Sequence, residues 1–599
     1  MRIRTLLACA AAALCVLPGI ARAAADSPRL LAQLDAAFVR FLEFNPSLAT
    51  ELGMAVASDR WEDLTEAGMV AEADSARREL AALQAGFAGA QLGPREQLQR
   101  RVFEAQLERE IERFRWRNHL YPLNQIVGPH IDVPRVLESQ AVTNPAEAAA
   151  YLRRIRAAGP YITGLVRRLE AQAAAGVWLP KPVYPLLIAQ ARNILQGITR
   201  DAPGGSPVLE DFSRKLEALP LAPAARAQQL EAARRALRDQ VAPAYRELLA
   251  VLESQGASTP VDGGVWQLPD GEAFYAFLLR QFTTTALGAD EIHALGLAEV
   301  ARVHGEMTGI MRRVGYEGDL RGFLQKMKQD PRFYLTNDAA GREAYLARAR
   351  GIVEAMQRRI GEVYPGPAPL RLELRATEAY RAAGAPSGFY EAGTPDGSRP
   401  GVVYLNLERL DTRPLYDLES LLYHESLPGH HLQISSILVD PAIPRLRKVN
   451  RWWQDTAFVE GWALYAERLA REMGFYQDPY ADFGRLAGEL WRATRLVVDS
   501  GLHAKRWSRE QAILYLDETT PSPRASNESA VDRYLAVPGQ ATAFTVGMLR
   551  ILEERERARA ALGESFDLRA FHAAVLENGY VPLWAVGESV DRYIASAQR

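Results

Sequence analysis

Three histidines and a glutamate lie within eight residues of this chain, in the segment His424-Glu-Ser-Leu-Pro-Gly-His-His431. Zinc peptidases commonly carry His-Glu-x-x-His on a helix, where the four-residue spacing places both imidazoles on one face and the glutamate beside the attacking water. Pro428 stands where that pattern requires the second histidine. The segment therefore has the residue types of a hydrolytic zinc site without the usual spacing.

Pro428 accounts for the mismatch, because proline cannot donate to the carbonyl of residue 424 and its ring clashes with that carbonyl. We expect the helix to kink or bulge there, and Gly429 permits an unusual backbone turn. In an unbroken helix His431 would lie ~10.5 Å beyond His424 along the axis, and His430 would point roughly 120° away. A bulge brings His430 or, as the alternative, His431 back beside His424. The competing interpretation is a histidine-rich helix end.

A second pair of acidic residues lies in Glu460-Gly-Trp-Ala-Leu-Tyr-Ala-Glu467, on a helix predicted from about Gln454 to Glu472. The two glutamates are two turns apart on one face, an arrangement that presents one carboxylate as a ligand and a second as outer-shell support. By themselves they fit an amphipathic helix with two exposed glutamates. The histidine segment is what favours the metal interpretation. Both cysteines precede residue 16, so His, Asp and Glu are the ligands left for a metal.

Two downstream segments offer hydrogen-bond donors for the oxyanion of a hydrolytic transition state. Asp499 precedes His503 by four residues, so its carboxylate is placed to orient the imidazole or a metal ligand. The alternative is an ordinary pair on a helix surface. Tyr534 is a phenolic donor, and Arg533 beside it is a candidate for binding a substrate carboxylate.

A strand-like pattern interrupts the helical pattern between residues 370 and 407. Leu370–Arg375 and Gly401–Leu407 alternate as strands do, and turn-forming residues separate them. We expect the second strand to be an edge strand beside the metal helix, able to pair with an extended peptide. An ordinary hairpin is the alternative. The side chains expected to reach a substrate from this element are Tyr390, Arg399, Tyr404 and Asn406.

Apolar residues recur at helical spacing nearly everywhere else in the chain. We therefore expect a mainly α fold with two helical halves around a cleft and the small β-element next to the metal helix. A polar stretch near residues 258–264 gives a soft boundary between an N-terminal part, 24–260, and a catalytic part, 261–599. The clearest predicted helices are Leu30–Phe44, Arg95–Leu120, Ala146–Ala171, Ala222–Glu253, Ala289–Arg313 and Arg342–Val363.

The start of the chain, residues 1–23, has the three regions of a signal peptide. Two arginines precede an apolar run, and Ala21-Arg22-Ala23 supplies a small-x-small cleavage site. We expect a periplasmic or secreted protein that is cleaved near Ala23 and has no membrane span after cleavage. Lipid attachment is the weaker alternative, because little apolar sequence precedes Cys9 and a leucine precedes Cys15.

The composition excludes one class of partner. Basic and acidic residues nearly balance, at 71 and 73, and the basic stretches alternate with apolar residues as solvated helix faces do. Nucleic-acid binding requires a concentrated basic face, so we expect no nucleic-acid partner. A hydrophobic content of 48% over this length is enough for a large core.

Several of these segments resemble known zinc peptidases. Residues 460–467 resemble the Glu-Gly-Phe-Ala-x-Tyr-x-Glu helix of aminopeptidase-N-type enzymes, whose first glutamate is the third zinc ligand. The pair Gly429-His430 resembles the end of the zinc helix in angiotensin-converting-enzyme-like and dipeptidyl-peptidase-III-like enzymes, and the latter tolerate an insertion between their histidines. Over most of residues 27–599 the chain is identified as a member of the bacterial domain-of-unknown-function 885 family, a distant branch of these glutamate-zinc (gluzincin-like) peptidases. The matching segments are Asn45–Thr50, Asp396–Gly401, His424–Gln433, Arg495–His503, Arg533-Tyr534 and Pro538–Ala541.

The resemblance implies a set of roles at one metal site. His424, His430 and Glu460 are expected to hold Zn²⁺ and to leave a fourth position for water, with His431 as the alternative second histidine. Glu425 is expected to act as general base on that water and to pass the proton to the leaving amine.

The remaining assignments complete the expected enzyme. Glu467 and Asp499 are expected in the outer shell, and His503 and Tyr534 as catalytic donors. We therefore expect an exported zinc peptidase that acts on a peptide or small amide substrate. The alternatives are a zinc hydrolase of a non-peptide amide or ester and a non-catalytic exported binding protein. Retention of Glu425 argues against the last, since a structural metal does not need that carboxylate.

Overall fold

The computed structural model describes residues 18–199, 206–367, 369–378, 382, 386–394, 397–450 and 454–599, with side chains described from residue 27 onward. Most of the predicted signal peptide, residues 1–17, lies outside the described residues. Pro18 to Ala23 belong to the backbone of the first helix, and the cleavage site stays a prediction.

Helices dominate the described chain, as the sequence predicts. Many begin with proline at the first helical position, where the missing N–H has no partner to lose. A polar cap often precedes it, as in Asn144, whose side chain accepts from the backbone N–H of Glu147. The helices of the N-terminal part are α1 (Pro18–Phe44), α2 (Pro46–Glu51), α3 (Glu66–Gly86), α4 (Pro94–Arg115), α5 (Pro129–Ser139), α6 (Pro145–Ala174), α7 (Tyr184–Thr199), α8 (Pro207–Glu217), α9 (Pro223–Ala236) and α10 (Ala242–Ser258).

The helices of the C-terminal part carry the residues of the predicted site. No single helix among the described residues is long and apolar enough to cross a membrane; one pair bent by 115°, Arg524–Ala536 with Gln540–Ser565, passes by length and composition together. These helices are α11 (Gly271–Thr283), α12 (Ala289–Arg313), α13 (Leu320–Gln329), α14 (Ala339–Arg359), α15 (Leu418–Glu425), α16 (His430–Val439), α17 (Thr456–Glu472), α18 (Pro479–His503), α19 (Arg509–Thr519), α20 (Arg524–Ala536), α21 (Ala543–Leu562), α22 (Leu568–Leu576) and α23 (Leu583–Ala597).

Two large hydrophobic cores lie mostly in different parts, although the larger one also includes Leu98 and Val102 of α4. One core is built mainly from α5 to α10, and a larger one includes α11, α17 and α21 to α23. A cavity of about 960 Å³ lies between the parts, lined by Trp61, Tyr121 and Arg168 on one side and by Phe274 and Phe282 on the other. The predicted mainly α fold with a cleft between helical halves is confirmed. The division at residue 260 stays a prediction, although α10 ends at Ser258.

A three-stranded sheet lies directly upstream of α15. It contains β1 (Leu372–Ala376), β2 (Gly388–Glu391) and β3 (Gly401–Leu405) in the order β1-β3-β2. Strand β3 pairs with β1 in parallel and with β2 antiparallel. The prediction that β3 is an edge strand is therefore wrong. All five of its residues are buried, as expected for a central strand, and β2, which the sequence pattern did not reveal, covers its other edge.

Glycines fix the position of the helix that carries Glu460. Helix α17 crosses α21 at Gly461 and Gly547, where a Cβ on either residue would overlap the backbone of the other helix. Only glycine permits this approach. Since α17 belongs to the larger core through Phe458 and Trp462, the carboxylate of Glu460 is carried by one of the best-packed elements of the fold.

Candidate metal centre

The histidine segment spans a break between two helices. Helix α15 ends at Glu425 and α16 begins at His430, with a cis peptide bond between Leu427 and Pro428. A Cβ on Gly429 would overlap the carbonyl oxygen of His424, so the turn requires glycine. The expected kink is thus a complete interruption, which returns the chain to the end of α15.

The break brings two imidazoles together against α17. The ring centroids of His424 and His430 are 4.8 Å apart, and their planes are nearly perpendicular at 85°. The indole N–H of Trp462, on α17, donates to the carbonyl oxygen of Pro428 at 3.0 Å. This bond holds the turn against the helix that carries Glu460.

His424, His430 and Glu460 form a compact group of potential ligands. One ligand atom from each lies within 4.8 Å of the others. Glu460 Oε2 lies 3.5 Å from His424 Nε2 and 3.6 Å from His430 Nε2. Atoms bound about 2.0–2.1 Å from one tetrahedral ion are separated by roughly 3.4 Å. Two imidazole nitrogens and one carboxylate oxygen at these separations fit Zn²⁺, so the residues present suit the group that the sequence predicts.

The second carboxylate of α17 supports His424 from behind. Glu467 Oε1 accepts from His424 Nδ1 at 2.8 Å, and its Oε2 accepts from the hydroxyl of Ser420 at 2.5 Å. Arg492 Nη2 lies 3.9 Å from Glu467 Oε1. Because a carboxylate only accepts, a neutral His424 ring would keep its proton on Nδ1 and turn the lone pair of Nε2 towards Glu460. This is the outer-shell arrangement expected for Glu467.

The charges within the cluster shift the ionisation of its members. Burial lowers the pKa of His424, but hydrogen bonds to Glu460 and Glu467 outweigh burial and raise it to about 9. Burial raises the pKa of Glu460, and hydrogen bonds to His424 and His430 reverse this and hold it well below the usual range. A positive charge is therefore stabilised between these groups, whether it is a proton or a metal ion.

Glu425 ends α15 and is half-buried beside the cluster. Burial raises the pKa of its carboxyl group, and the charges of His424 and His430 oppose the rise. A raised pKa makes the carboxylate a stronger proton acceptor, as a general base requires. The position agrees with the predicted role, which stays a prediction.

His431, the alternative second histidine, is turned away from the cluster. Its Nδ1 lies 3.0 Å from the hydroxyl of Tyr390, and its Nε2 lies 2.9 Å from the carbonyl oxygen of Leu370. Burial lowers its pKa to about 4, so the ring is neutral. Of the two open alternatives, the structure brings His430 and not His431 to the other ligands. His431 instead attaches the start of α16 to the sheet.

Asp499 and His503 do not form the expected pair. Asp499 accepts from the hydroxyl of Tyr275 at 2.6 Å and from the N–H of Gly539. His503 Nδ1 accepts from the N–H of Val265 at 3.1 Å, so Nε2 carries the proton and donates to a backbone carbonyl at 3.0 Å. Both ring nitrogens are therefore used by the fold, and the expectation that His503 contacts substrate has no support from its position.

The hydroxyl of Tyr534, by contrast, is buried and has no hydrogen-bond partner among the described residues. The guanidinium carbon of Arg533 lies 5.3 Å from the centre of the Tyr534 ring. Two arginines that the sequence analysis did not single out, Arg492 and Arg495, lie on α18. Tyr534 and Arg492 are both close enough to Arg495 to influence the pKa of its guanidinium group. The three-residue spacing of the two arginines, which places both on one helix face, was the available signal.

The side chains assigned to substrate binding near the sheet are mostly used by the fold. Tyr404 is buried and stacks on Phe389 with centroids 5.1 Å apart. Asn406 is buried and donates to the carbonyl oxygen of Ala382 at 2.7 Å. Tyr390 contacts His431, and Arg399 is exposed in the loop before β3. The assignment depended on an edge strand, and β3 is central.

The fold and the cluster define a mainly helical protein in which two histidines and a glutamate lie close enough together to hold one cation. The chain belongs to the family described as bacterial proteins of unknown function, DUF885, whose model matches residues 46–590. The family membership inferred from the sequence is confirmed. The predicted relation to gluzincin-like peptidases stays a prediction.

Two solved structures are similar over nearly the whole chain. The crystal structure of "the putative lipoprotein from Colwellia psychrerythraea" is 30% identical, with a TM-score of 0.87, and the match covers 95% of this chain and 99% of that one. "A putative lipoprotein of unknown function from Shewanella oneidensis" is 19% identical, with a TM-score of 0.67, covering 93% and 99%; it shows the fold alone. A search of curated proteins gave no match.

Proposed function

We propose that this protein is an exported zinc-dependent hydrolase that cleaves peptide bonds. The observation that carries the proposal is the convergence of His424, His430 and Glu460 from three helices, with Glu425 directly after His424 in the chain. The resemblance of residues 460–467 to the third-ligand helix of gluzincin-like peptidases supports it.

The ligand set leaves room for chemistry as well as binding. Three protein ligands are the number that catalytic zinc sites use, whereas structural sites use four. Zn²⁺ held by these residues would lower the pKa of water and polarise a scissile carbonyl. Glu467 fixes the orientation of His424, so the position of that ligand does not depend on the ion.

The chain's own groups supply the proton transfers. Glu425 accepts a proton from the attacking water and later delivers it to the nitrogen of the leaving amine. The free hydroxyl of Tyr534 donates a hydrogen bond to the oxygen that becomes negative in the transition state. A peptide substrate uses all three contributions, which are proton acceptance from water, proton delivery to the leaving amine and a hydrogen bond to the oxyanion. Its leaving amine must be protonated.

Export is part of the proposal. The Colwellia relative is described as a putative lipoprotein, which supports passage of this chain across a membrane. The signal-like residues 1–23 provide the route. We retain cleavage near Ala23 rather than lipid attachment to Cys9 or Cys15.

The test compares wild type with Glu425→Gln, which removes the base but keeps the size of the side chain. We expect about one zinc per chain in both proteins and a loss of peptide hydrolysis by roughly 10²–10⁴-fold in the variant. Glu419→Gln, on the same helix and outside the cluster, is the matched control and should retain activity. Zinc-free wild type, or an active Glu425→Gln, contradicts the proposal.

Substrate class is tested with the same proteins. A peptide library is compared with simple amides and esters, and the rates are divided by those of Glu425→Gln. If Glu425-dependent turnover is faster for non-peptide esters or amides than for peptides, the protein is the alternative hydrolase and not a peptidase. Zinc binding without any turnover would favour the binding protein.

A further inference from the structure

Arg495 is a buried guanidinium that no carboxylate among the described residues bonds to. The residue is 8% exposed, and its Nε and Nη1 are buried with no hydrogen-bond partner in the described part of the chain. The described residues form no ion pair with it. Burying an unpaired charge is costly to the folded state, so a protein gains nothing from such a group unless it binds something else. A buried arginine without a bonded carboxylate is therefore a candidate for binding an anion from outside the chain.

The position of Arg495 on α18 places it next to the metal centre. It follows Arg492 by one helical turn, and Arg492 lies against Glu467, which holds His424. The guanidinium carbon of Arg495 lies 4.5 Å from the centre of the Phe544 ring, which fixes its plane.

The groups that face Arg495 leave an excess of positive charge. Burial lowers the pKa of Arg495 to about 9; Tyr534 and Glu460 oppose the decrease, while Arg533 and Arg492 add to it. Glu460 is the single carboxylate in this set, and a cation bound to it would neutralise its charge. Arg492, Arg533 and Tyr534 therefore lie close enough to Arg495 to influence its charge.

A second buried arginine shows what an ordinary structural role looks like in this fold. Arg555 is 4% exposed and lies over the ring of Tyr465, with 5.8 Å between guanidinium carbon and ring centre. Its Nη2 and Nη1 bond to the carboxylate of Glu472 at 2.5 and 3.1 Å. Arg495 is likewise buried over an aromatic ring, but no carboxylate in the described part of the chain bonds to it.

We propose that Arg495, flanked by Arg533, binds a carboxylate of the peptide substrate. This inference rests on the proposed function, because it takes the bound carboxylate to belong to a substrate. Anion binding at Arg495 does not itself require hydrolysis. An arginine whose donors are unpaired binds a carboxylate through charge-assisted hydrogen bonds. Such a carboxylate comes from the free C-terminus of a peptide or from a Glu or Asp side chain.

The zinc-loaded protein tests the assignment through Arg495→Met and Arg495→Lys. For an acidic peptide we expect Arg495→Met to raise KM about 10–100-fold with kcat changed little, because charged hydrogen bonds of substrate binding are lost. Arg495→Lys keeps the charge and should recover part of the affinity. A loss of kcat at unchanged KM would overturn the proposal.

Thermal unfolding separates binding from structural roles. Removal of an unpaired buried charge should leave the Tm of the ligand-free protein equal or higher in Arg495→Met. In the matched control Arg555→Met the Tm should fall, since Glu472 loses its partner, while KM for the peptide stays at the wild-type value. A lower Tm in Arg495→Met without an effect on KM would assign Arg495 to the fold.

The two sources of the carboxylate are separated by the substrates. A peptide with a free C-terminus is compared with its C-terminal amide, and Glu-containing peptides are compared with Gln-containing ones. The source is the group whose neutralisation raises KM in wild type but not in Arg495→Met. If neither neutralisation matters, the proposal is wrong.

Equilibrium binding distinguishes failure of this inference from failure of the proposed function. Glutarate should raise the Tm of wild type, and its neutral diamide should not. Glutarate should have no effect on Arg495→Met. If peptides are not hydrolysed but this pattern holds, the anion site stands without the peptidase. If glutarate affects both proteins equally or neither, the anion site fails whether or not peptides are cleaved.

Discussion

The contact between Glu467 and His424 gives the sharpest prediction about metal affinity. Two substitutions remove it in steps. Glu467→Gln keeps an oxygen that can accept from His424 Nδ1 but removes the charge, whereas Glu467→Ala removes both. The bond is 2.8 Å long and both groups are nearly inaccessible to solvent.

The magnitude follows from the contribution of one buried, charge-assisted hydrogen bond. Such a bond contributes about 1.5–3 kcal/mol, and 1.4 kcal/mol corresponds to a factor of ten in a dissociation constant. We therefore expect Glu467→Ala to weaken zinc binding about 10–100-fold, which is the range of outer-shell substitutions elsewhere. Glu467→Gln should lie between Glu467→Ala and wild type.

The assay is a competition for zinc against a chelator of known affinity, with circular dichroism to verify the fold. Glu472→Gln is the control, because it lies on the same helix α17 and contacts Arg555 rather than a histidine. Its zinc affinity should equal that of wild type. A folded Glu467→Ala that binds zinc within twofold of wild type would refute the role given to this carboxylate.

Three further predictions concern the turn, the pH dependence of stability and the N-terminus. Gly429→Ala should reduce the free energy of unfolding by about 1–3 kcal/mol and weaken zinc binding, because the new Cβ overlaps a backbone carbonyl; Gly305→Ala, in open space on α12, should not destabilise, and equal effects at both sites would contradict the argument. Burial raises the pKa of Asp499 to about 7, so this group stabilises the fold at low pH and loses that contribution as pH rises from its unfolded value towards 7. Between pH 5 and pH 8 the free energy of unfolding of wild type should therefore fall by about 2–3 kcal/mol relative to that of Asp499→Asn. Urea titration measures both values, and a difference between the two proteins that does not change with pH would refute the raised pKa of Asp499. Mass spectrometry of the protein recovered from the cell envelope should give an N-terminus after Ala23, and a lipid on Cys9 or Cys15 would replace that prediction.

The sequence predicted the helices and the ligand types because both follow local rules. The apolar periodicity of residues 289–313 reproduces α12, and the spacing of Glu460 and Glu467 on one face holds because α17 is regular. Proline and glycine at 428 and 429 marked the place where the helix is interrupted.

What the sequence did not predict depends on residues far apart in the chain. Whether β3 is central or at an edge depends on β2, a four-residue strand too short to give a pattern. The partners of His503 are Val265 and Tyr534, more than thirty residues away on either side, so its four-residue spacing from Asp499 was misleading. Arg495 stood in a recognised segment, but only the packing shows that no anion accompanies it.

Because of the contact between Gly461 and Gly547, the helix that carries Glu460 is more rigidly held than the segment that carries the two histidines. Glu460 is carried by a helix whose backbone touches another helix, so it cannot shift without moving the larger core. The two histidines flank an interrupted stretch of chain, where a small change in the turn changes their separation. A substitution or a bound ligand that changes the geometry of the site therefore moves the imidazoles of His424 and His430, while the carboxylate of Glu460 stays in place. Variants with altered metal preference should be sought in residues 426–429, while substitutions at the contact of α17 with α21 should mainly change stability.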